Sequence, residues 1–249
     1  MTDLFEEVEE QLRSDRYKEL ARKVLPWVLG VAALALVATL AYWGWDTWRS
    51  NNVAKASDQY AEAIEALQAG DREKALRLWT ETSKSQAPGY KALSLMHLAA
   101  YQMSQNKTDE AVKLLDQAAE AAPDAALGDA ARLKSALALL DTASFTDVEA
   151  RLKPLMEDGR PYRIQAREAL AFAKIRAGNL SGARSDFVVI SQSLDAGEGA
   201  QSRARAAMGL IDSGSAKEVA AVVKAAQALP PPAVGPQGSV PQSQDVAPQ

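Results

Sequence analysis

A single histidine and the absence of cysteine limit the chemistry available to this chain of 249 residues. His97 lies in the string LMHLAAY, with no second histidine or thiolate to complete a catalytic triad or a zinc site. Three acidic pairs are adjacent in sequence: Glu6/Glu7, Glu9/Glu10 and Asp109/Glu110. Because neighbours on a helix do not share a face, these pairs do not support paired-carboxylate hydrolysis. A structural or surface histidine is the simpler interpretation of His97.

Phosphate and nucleic-acid chemistry also lack a motif. Gly70-Asp71 and Gly178-Asn179 are turn signals between helices rather than phosphate loops. The net charge of −4 gives no basic footprint for a nucleic acid. The sequence therefore predicts no enzyme, no metal, no cofactor and no nucleic-acid partner. An enzyme would need a ligand or metal that titrates His97.

One segment is suited to a membrane. Residues Val24 to Trp45 carry no charge, and as a helix they span about 33 Å, enough for a hydrocarbon core. Trp27 marks one end, and aromatic residues crowd the other, as in an interfacial belt. Pro26 is expected in the first turn of this helix, where its missing N–H costs least. The alternatives are a buried soluble helix and a cleaved signal peptide, whose apolar run is shorter.

The Lys/Arg bias predicts the orientation of this anchor. Five basic residues precede it: Arg13, Arg16, Lys18, Arg22 and Lys23. Only Arg49 and Lys55 follow within the first 20 residues after Trp45. The positive-inside rule then places the N-terminus in the cytoplasm and the large C-terminal part across the membrane.

The C-terminal part contains an internal helical repeat. Alanine makes up 49 residues of the chain, which favours closely packed helices over strands. Similar stretches open at Gly70, Asn106, Ser144 and Gly178, at intervals near the tetratricopeptide period of about 34 residues. Each opening lies between two amphipathic helical patterns. An irregular helical bundle is the alternative.

The repeat positions differ in how well they keep the pattern. The second repeat has small residues at Ala99, Ala111 and Ala118 and fills its seam with Leu95, Leu98 and Leu115. Trp79 and Leu115 should be buried, so that truncating them destabilises the fold. The third repeat departs, because Pro154 falls inside its second helix and should shorten or kink it. Helices near 200–212 and 215–229 would cap the stack.

The predicted fold class is all-α: one transmembrane helix, then a tetratricopeptide-like α-solenoid of about four repeats. The predicted domains are a cytoplasmic juxtamembrane helix (1–23), the anchor (24–45), the repeat domain (46–229) and a Pro-rich tail (230–249). The tail carries six prolines and should be disordered or extended. No strong helix breaker separates the anchor from the first repeat helix.

Two strings carry a family resemblance. DLFEEVEEQLRSDRYKELARK at the N-terminus and LKPLMEDGRPYRIQAREALAFAKIRAGNLSGARSDF at 152–187 resemble the bacterial ancillary SecYEG translocon subunit family (YfgM-like). The resemblance covers about residues 1–212; the Pro-rich tail is not part of that family's pattern. It implies a single-pass inner-membrane protein of Gram-negative bacteria, with an N-terminal cytoplasmic segment and periplasmic repeats. The implied partners are Sec translocon subunits, periplasmic chaperones and newly exported chains.

Binding would use the first helices of successive repeats, which line the concave face of such a stack. The family register places ten residues there: Tyr60, Ile64, Leu67, Leu93, Met96, Met103, Lys134, Phe172, Ile175 and Arg176. This set is more apolar than a solvated surface needs, and methionine adapts to varied partners. The competing interpretation is that these side chains are buried against the following helix or the cap.

Two functions remain open from the sequence. The first is a membrane-tethered scaffold that acts at the translocon, with periplasmic chaperones, on newly exported proteins. The alternative is a structural organiser of cell-envelope assembly or division that acts through oligomerisation. A homo-oligomer is compatible with either.

Overall fold

The structure, a computed structural model, describes the backbone of residues 3–218 and the side chains of residues 23–218. The described part is helical and contains no strand. Its α-helices are α1 (Asp3–Gln68), α2 (Arg72–Thr82), α3 (Pro88–Ser104), α4 (Thr108–Ala121), α5 (Ala125–Ala138), α6 (Phe145–Leu152), α7 (Arg163–Arg176), α8 (Leu180–Gln192) and α9 (Glu198–Asp212). The predicted second cap helix continues to residue 229, and the tail covers 230–249. Of the second cap helix the structure describes only its start, which forms the short 3₁₀ turn Ser215–Lys217. The rest of that helix and the whole tail lie outside the described residues.

Helix α1 is one unbroken helix of 66 residues. Its apolar stretch is long and apolar enough to cross a membrane, and no part of that stretch is buried against the rest of the chain. A core helix of a soluble protein would be covered, so the buried-helix alternative does not fit. The expectation for Pro26 is wrong, because α1 begins at Asp3 and the proline lies inside the helix. The same helix runs on to Gln68, where it packs on α2.

The openings of three repeats share one turn geometry. Gly70, Asn106 and Gly178 have φ values of 84°, 59° and 80°, in the left-handed region. After each of them the next N–H donates to a carbonyl five residues earlier, as in Asp71 N to Ala66 O and Asn179 N to Lys174 O. This is the Schellman ending of a helix, which glycine and asparagine tolerate best. The turn-prone residues in the sequence pattern thus end each first helix.

The third repeat departs at its opening and in its second helix. Ser144 has a φ of −66° and caps α6, since its Oγ accepts a hydrogen bond from Asp147 N. Helix α6 has only eight residues, and a 3₁₀ turn containing Pro154 follows it. The prediction of a short second helix is confirmed. Val148, Leu152 and Leu155 are all fully buried, so this segment packs with larger side chains than the alanines of the other repeats.

The described helices belong to two compact units, Met1–Ala138 and Leu139–Gln249. In the first unit α1 packs on α2, α3 on α4 and α4 on α5; in the second, α7 packs on α8 and α8 on α9. Alanine seams hold these pairs together: Ala63 and Ala75 in the first repeat, Ala171 and Ala183 in the fourth. Trp79 and Leu115 are buried as expected, with 3% and 4% exposure. Helix α9 is the first of the predicted cap helices.

Candidate partner-binding surface

The ten residues assigned to a binding face lie on the first helices of the repeats. Seven belong to the first unit: Tyr60, Ile64 and Leu67 on α1, Leu93, Met96 and Met103 on α3, and Lys134 on α5. Three belong to the second unit: Phe172, Ile175 and Arg176 on α7.

None of the ten side chains is buried. Five are exposed: Leu67, Met103, Lys134, Phe172 and Arg176. Tyr60, Ile64, Leu93, Met96 and Ile175 are half-buried. Leu67, Met103 and Phe172 keep about 40% of their surface in solvent (41%, 38% and 40%). Apolar side chains on this face are therefore accessible to a partner in each unit taken alone.

The half-buried members rest on the alanine seams. Tyr60 and Ile64 pack against the cluster of Ala63, Ala66, Ala75 and Trp79. Met96 packs against both clusters of the α3–α4 pair. In the second unit Ile175 packs on the core around Phe187. One flank of each side chain is thus fixed by the core, while the other remains available for contact.

Aromatic residues of α1, α2 and α3 meet beside this face. The His97 ring stacks on Trp79 with ring centroids 4.3 Å apart and planes 2° apart. The Tyr60 hydroxyl is hydrogen-bonded to His97 Nε2 at 2.9 Å, and the rings of Tyr60 and Tyr90 lie 5.7 Å apart. The Tyr90 hydroxyl donates to Ser57 Oγ at 2.9 Å. These contacts connect the three helices beside the candidate face.

Burial governs the protonation of this cluster. It lowers the pKa of His97 below its ordinary value of 6.5, because desolvation disfavours the imidazolium. Burial, and secondarily the neighbouring Tyr90, raises the pKa of Tyr60. Both groups are therefore neutral at pH 7. A neutral histidine stacked on one aromatic ring and bonded to another is a packing element of the first unit.

Ion pairs between α7 and α8 lie beside the candidate face of the second unit. On α7, Arg167 and Lys174 both reach Asp186 of α8, at 3.1 and 2.6 Å. Phe172 lies between them in sequence and meets Phe187 edge-on, with centroids 5.2 Å apart. Arg176 donates from Nη2 to the Ala143 carbonyl. The ion pairs fix the rotation of α7 so that Phe172 stays on the exposed side.

Two residues beside the face were missed by sequence reasoning. Tyr90 and Ser57 belong to the aromatic cluster, yet neither occupies a register position of the repeat. Tyr90 stands three residues before Leu93, which places it on the same helical face. That spacing could have indicated that Tyr90 lies beside the candidate face. The contact with Ser57 depends on how α1 and α3 pack, and no local pattern carries that information.

The helix pairs, the repeated turn and the small-residue seams are features that this chain shares with a known protein family. A family model described as a tetratricopeptide repeat-like domain matches residues 18–202. The chain belongs to this tetratricopeptide repeat-like family. Domains of this kind are typically protein-interaction modules rather than enzymes, and the match confirms the repeat part of the sequence prediction. Comparison with curated proteins and with solved structures gave no match.

Proposed function

We propose that this protein is a membrane-tethered scaffold that binds other proteins through the first helices of its repeats. The observation that carries this proposal is helix α1, which joins an exposed apolar stretch directly to the first repeat. The first buried residue of the repeat, Ala56, comes eight residues after Trp48, or about 12 Å along a helix. The binding face of the first unit therefore begins close to the membrane. Tethering raises the effective concentration of partners that work there.

The proposed orientation, site of action and partners of the protein rest on sequence features. The basic residues before the anchor favour a cytoplasmic N-terminus, so that the repeat domain lies in the periplasm. The resemblance to the YfgM-like translocon subunits supports a site of action at the Sec translocon of the inner membrane. The partners would be translocon subunits, periplasmic chaperones and newly exported chains. The domain boundaries at 1–23, 24–45, 46–229 and 230–249 are part of the same proposal.

The face is suited to segments of varied sequence. Met96 and Met103 supply flexible apolar contacts, while Lys134 and Arg176 supply charge at the edge. An apolar or amphipathic segment of a partner would lie against such a surface. Unfolded chains emerging from a membrane channel expose segments of this composition.

Photocrosslinking in cells tests the proposal. A photoreactive residue at Met96 of α3 and another at Phe172 of α7 should capture translocon subunits, periplasmic chaperones or exported chains. The matched controls are Gln117 of α4 and Ser185 of α8, exposed residues on second helices of the repeats, which should capture much less. Crosslinks from the control positions alone would contradict the proposed face. Crosslinks only to further copies of the chain would favour the envelope organiser instead.

A further inference from the structure

A cleft in the second unit lies apart from the ten residues of the binding face. It has a volume of about 290 Å³ and is formed by the start of α7, the segment before it, the α8–α9 connection and the start of α9. Three arginines line it, Arg160, Arg163 and Arg203, against one carboxylate, Asp195. Asp158 and Glu168 also pair with Arg163 and Arg203 from beside the lining, so the cleft suits an anion that can exchange with one of these carboxylates.

Two of the three arginines, Arg163 and Arg203, retain capacity for a ligand. Arg163 holds Asp158 through Nη1 and Asp195 through Nη2, but the side chains of these carboxylates are 98% and 69% exposed. Ion pairs so open to water are weak and easily exchanged. Arg203 binds Glu168 through Nε and Nη2. Its Nη1 group makes no hydrogen bond within the described residues and keeps its donor capacity, and Arg203 lines the cleft.

The backbone adds to the positive potential. Helices α7 and α9 both begin at the cleft, where Ile164 and Ala200 are lining residues. Their N-caps, Tyr162 and Gly197, provide no side-chain cap. Arg163 N already donates to Arg160 O and Ala200 N to Gly197 O, but the N–H groups of Ile164 and Gly199 have no acceptor within the described residues. The positive ends of both helix dipoles lie at the cleft.

The chain itself indicates which anion fits. Asp195 already presents a carboxylate to Arg163 from the α8–α9 connection, and guanidinium groups match carboxylates geometrically. The volume is at the lower limit of ligand pockets and suits one or two side chains. None of the described residues that line the cleft is aromatic, so this lining offers no platform for stacking a base.

We propose that this cleft binds a carboxylate from an acidic segment of a partner protein, which displaces Asp195 from Arg163. A protein ligand is favoured because repeat domains of this family are protein-interaction modules. The displaced Asp195 remains solvated, as its exposure in the free cleft already indicates. Binding thus exchanges one exposed ion pair for another and adds contacts to Arg203 and the helix ends.

Fluorescence anisotropy on the full chain in detergent micelles tests this proposal at low salt. The probe is a fluorescein-labelled peptide of alternating Glu and Gly, and the matched peptide carries Gln for Glu. The Glu peptide should bind several-fold tighter than the Gln peptide. Arg163→Gln should weaken its binding about fivefold, and Asp195→Asn should tighten it about twofold to fivefold, the range of exposed ion pairs. If the two substitutions in this ion pair change the affinity for the Glu peptide in opposite directions, the cleft is a ligand site rather than a purely structural feature.

Arg184→Gln is the charge-matched control. Arg184 is an exposed arginine of α8 that forms a bidentate pair with Asp212 outside the cleft, so its loss removes the same charge and should leave peptide binding unchanged. Equal weakening by Arg163→Gln and Arg184→Gln would overturn the proposal, because it would indicate nonspecific attraction. An unchanged affinity in Asp195→Asn would overturn it too. Binding of inorganic phosphate, or of phosphatidylglycerol vesicles, without binding of the Glu peptide would assign the cleft to another anion.

Discussion

Trp79 is the largest side chain in the seam of the first repeat. Its indole Nε1 is buried and has no hydrogen-bond partner within the described residues. The stabilisation therefore comes from apolar burial and from the stacked His97 ring rather than from the N–H group. An unsatisfied buried donor costs free energy in the folded state.

Replacing Trp79 should separate these contributions. We expect Trp79→Ala to lower the free energy of unfolding by about 3–5 kcal/mol, since it leaves a large cavity. Trp79→Phe should cost only about 1–2 kcal/mol, because it keeps an aromatic ring and removes the unsatisfied donor. Urea unfolding followed by circular dichroism gives both values. A Phe variant as unstable as the Ala variant would contradict this account, because the two variants both lack Nε1 and differ only in the aromatic ring.

His97 should make the stability of the first unit depend on pH. Its pKa is lowered in the folded state by burial, whereas the unfolded chain has an ordinary value near 6.5. Near and below that value the unfolded state binds more protons, so stability is fully present above pH 6.5 and falls as the pH drops toward the folded pKa. We expect the wild type to lose more stability than His97→Gln between pH 7.5 and 5.5. Equal losses in urea titrations at the two pH values would count against a buried neutral imidazole.

The elements of the second unit are fixed by ion pairs of unequal burial. Asp186 lies between Arg167 and Lys174 and has an 11% exposed side chain. Arg184 and Asp212 connect α8 to α9 at the surface, with side chains about half exposed. Burial, rather than the number of hydrogen bonds, should decide which pair stabilises the unit.

Two matched substitutions test this point. Asp186→Asn should lower the free energy of unfolding by about 1.5–3 kcal/mol, because it weakens hydrogen bonds to two partly buried cations. Asp212→Asn removes the same charge from an exposed pair and should change stability little, although Arg184 lowers the pKa of Asp212 through a hydrogen bond. Denaturant unfolding compares the two. A larger loss of stability in Asp212→Asn would mean that the exposed ion pair between Arg184 and Asp212 contributes more to the unit than the buried one.

The sequence predicted elements well where local chemistry determines them. The left-handed turns at Gly70 and Gly178, the capped start at Ser144 and the short helix before Pro154 all follow from local residue types. Pro26 was misplaced because the start of α1 depends on residues far upstream of the apolar run. The contact of Tyr90 with Ser57 depends on helix packing, and the Arg163 cleft depends on where two helix ends meet. Neither has a sequence motif.

At the scale of the whole molecule, the absence of cysteine makes the proposed topology directly measurable. Ser14→Cys and Ser104→Cys place single thiols before the anchor and at the end of α3. In cells with a permeabilised outer membrane, a membrane-impermeant maleimide should label Ser104→Cys at once. It should label Ser14→Cys only after lysis, because the proposed orientation places the N-terminus in the cytoplasm. Labelling of Ser14→Cys before lysis would contradict this orientation. Recovery of the repeat domain in the soluble fraction without Ser14→Cys would indicate cleavage rather than anchoring.

The central claim is that the exposed and half-buried apolar residues on the first helices of the repeats bind partner proteins. The most direct measurement is co-purification from membranes, with quantitative mass spectrometry, using the wild type and the double variant Met96→Glu/Phe172→Glu. Gln117→Glu/Ser185→Glu adds the same two charges on second helices and serves as the control, and circular dichroism verifies that all three chains keep their helices. Loss of translocon and chaperone partners in the Met96/Phe172 variant alone is the predicted result. Unchanged capture by that variant, with its helices intact, would contradict the proposed binding face.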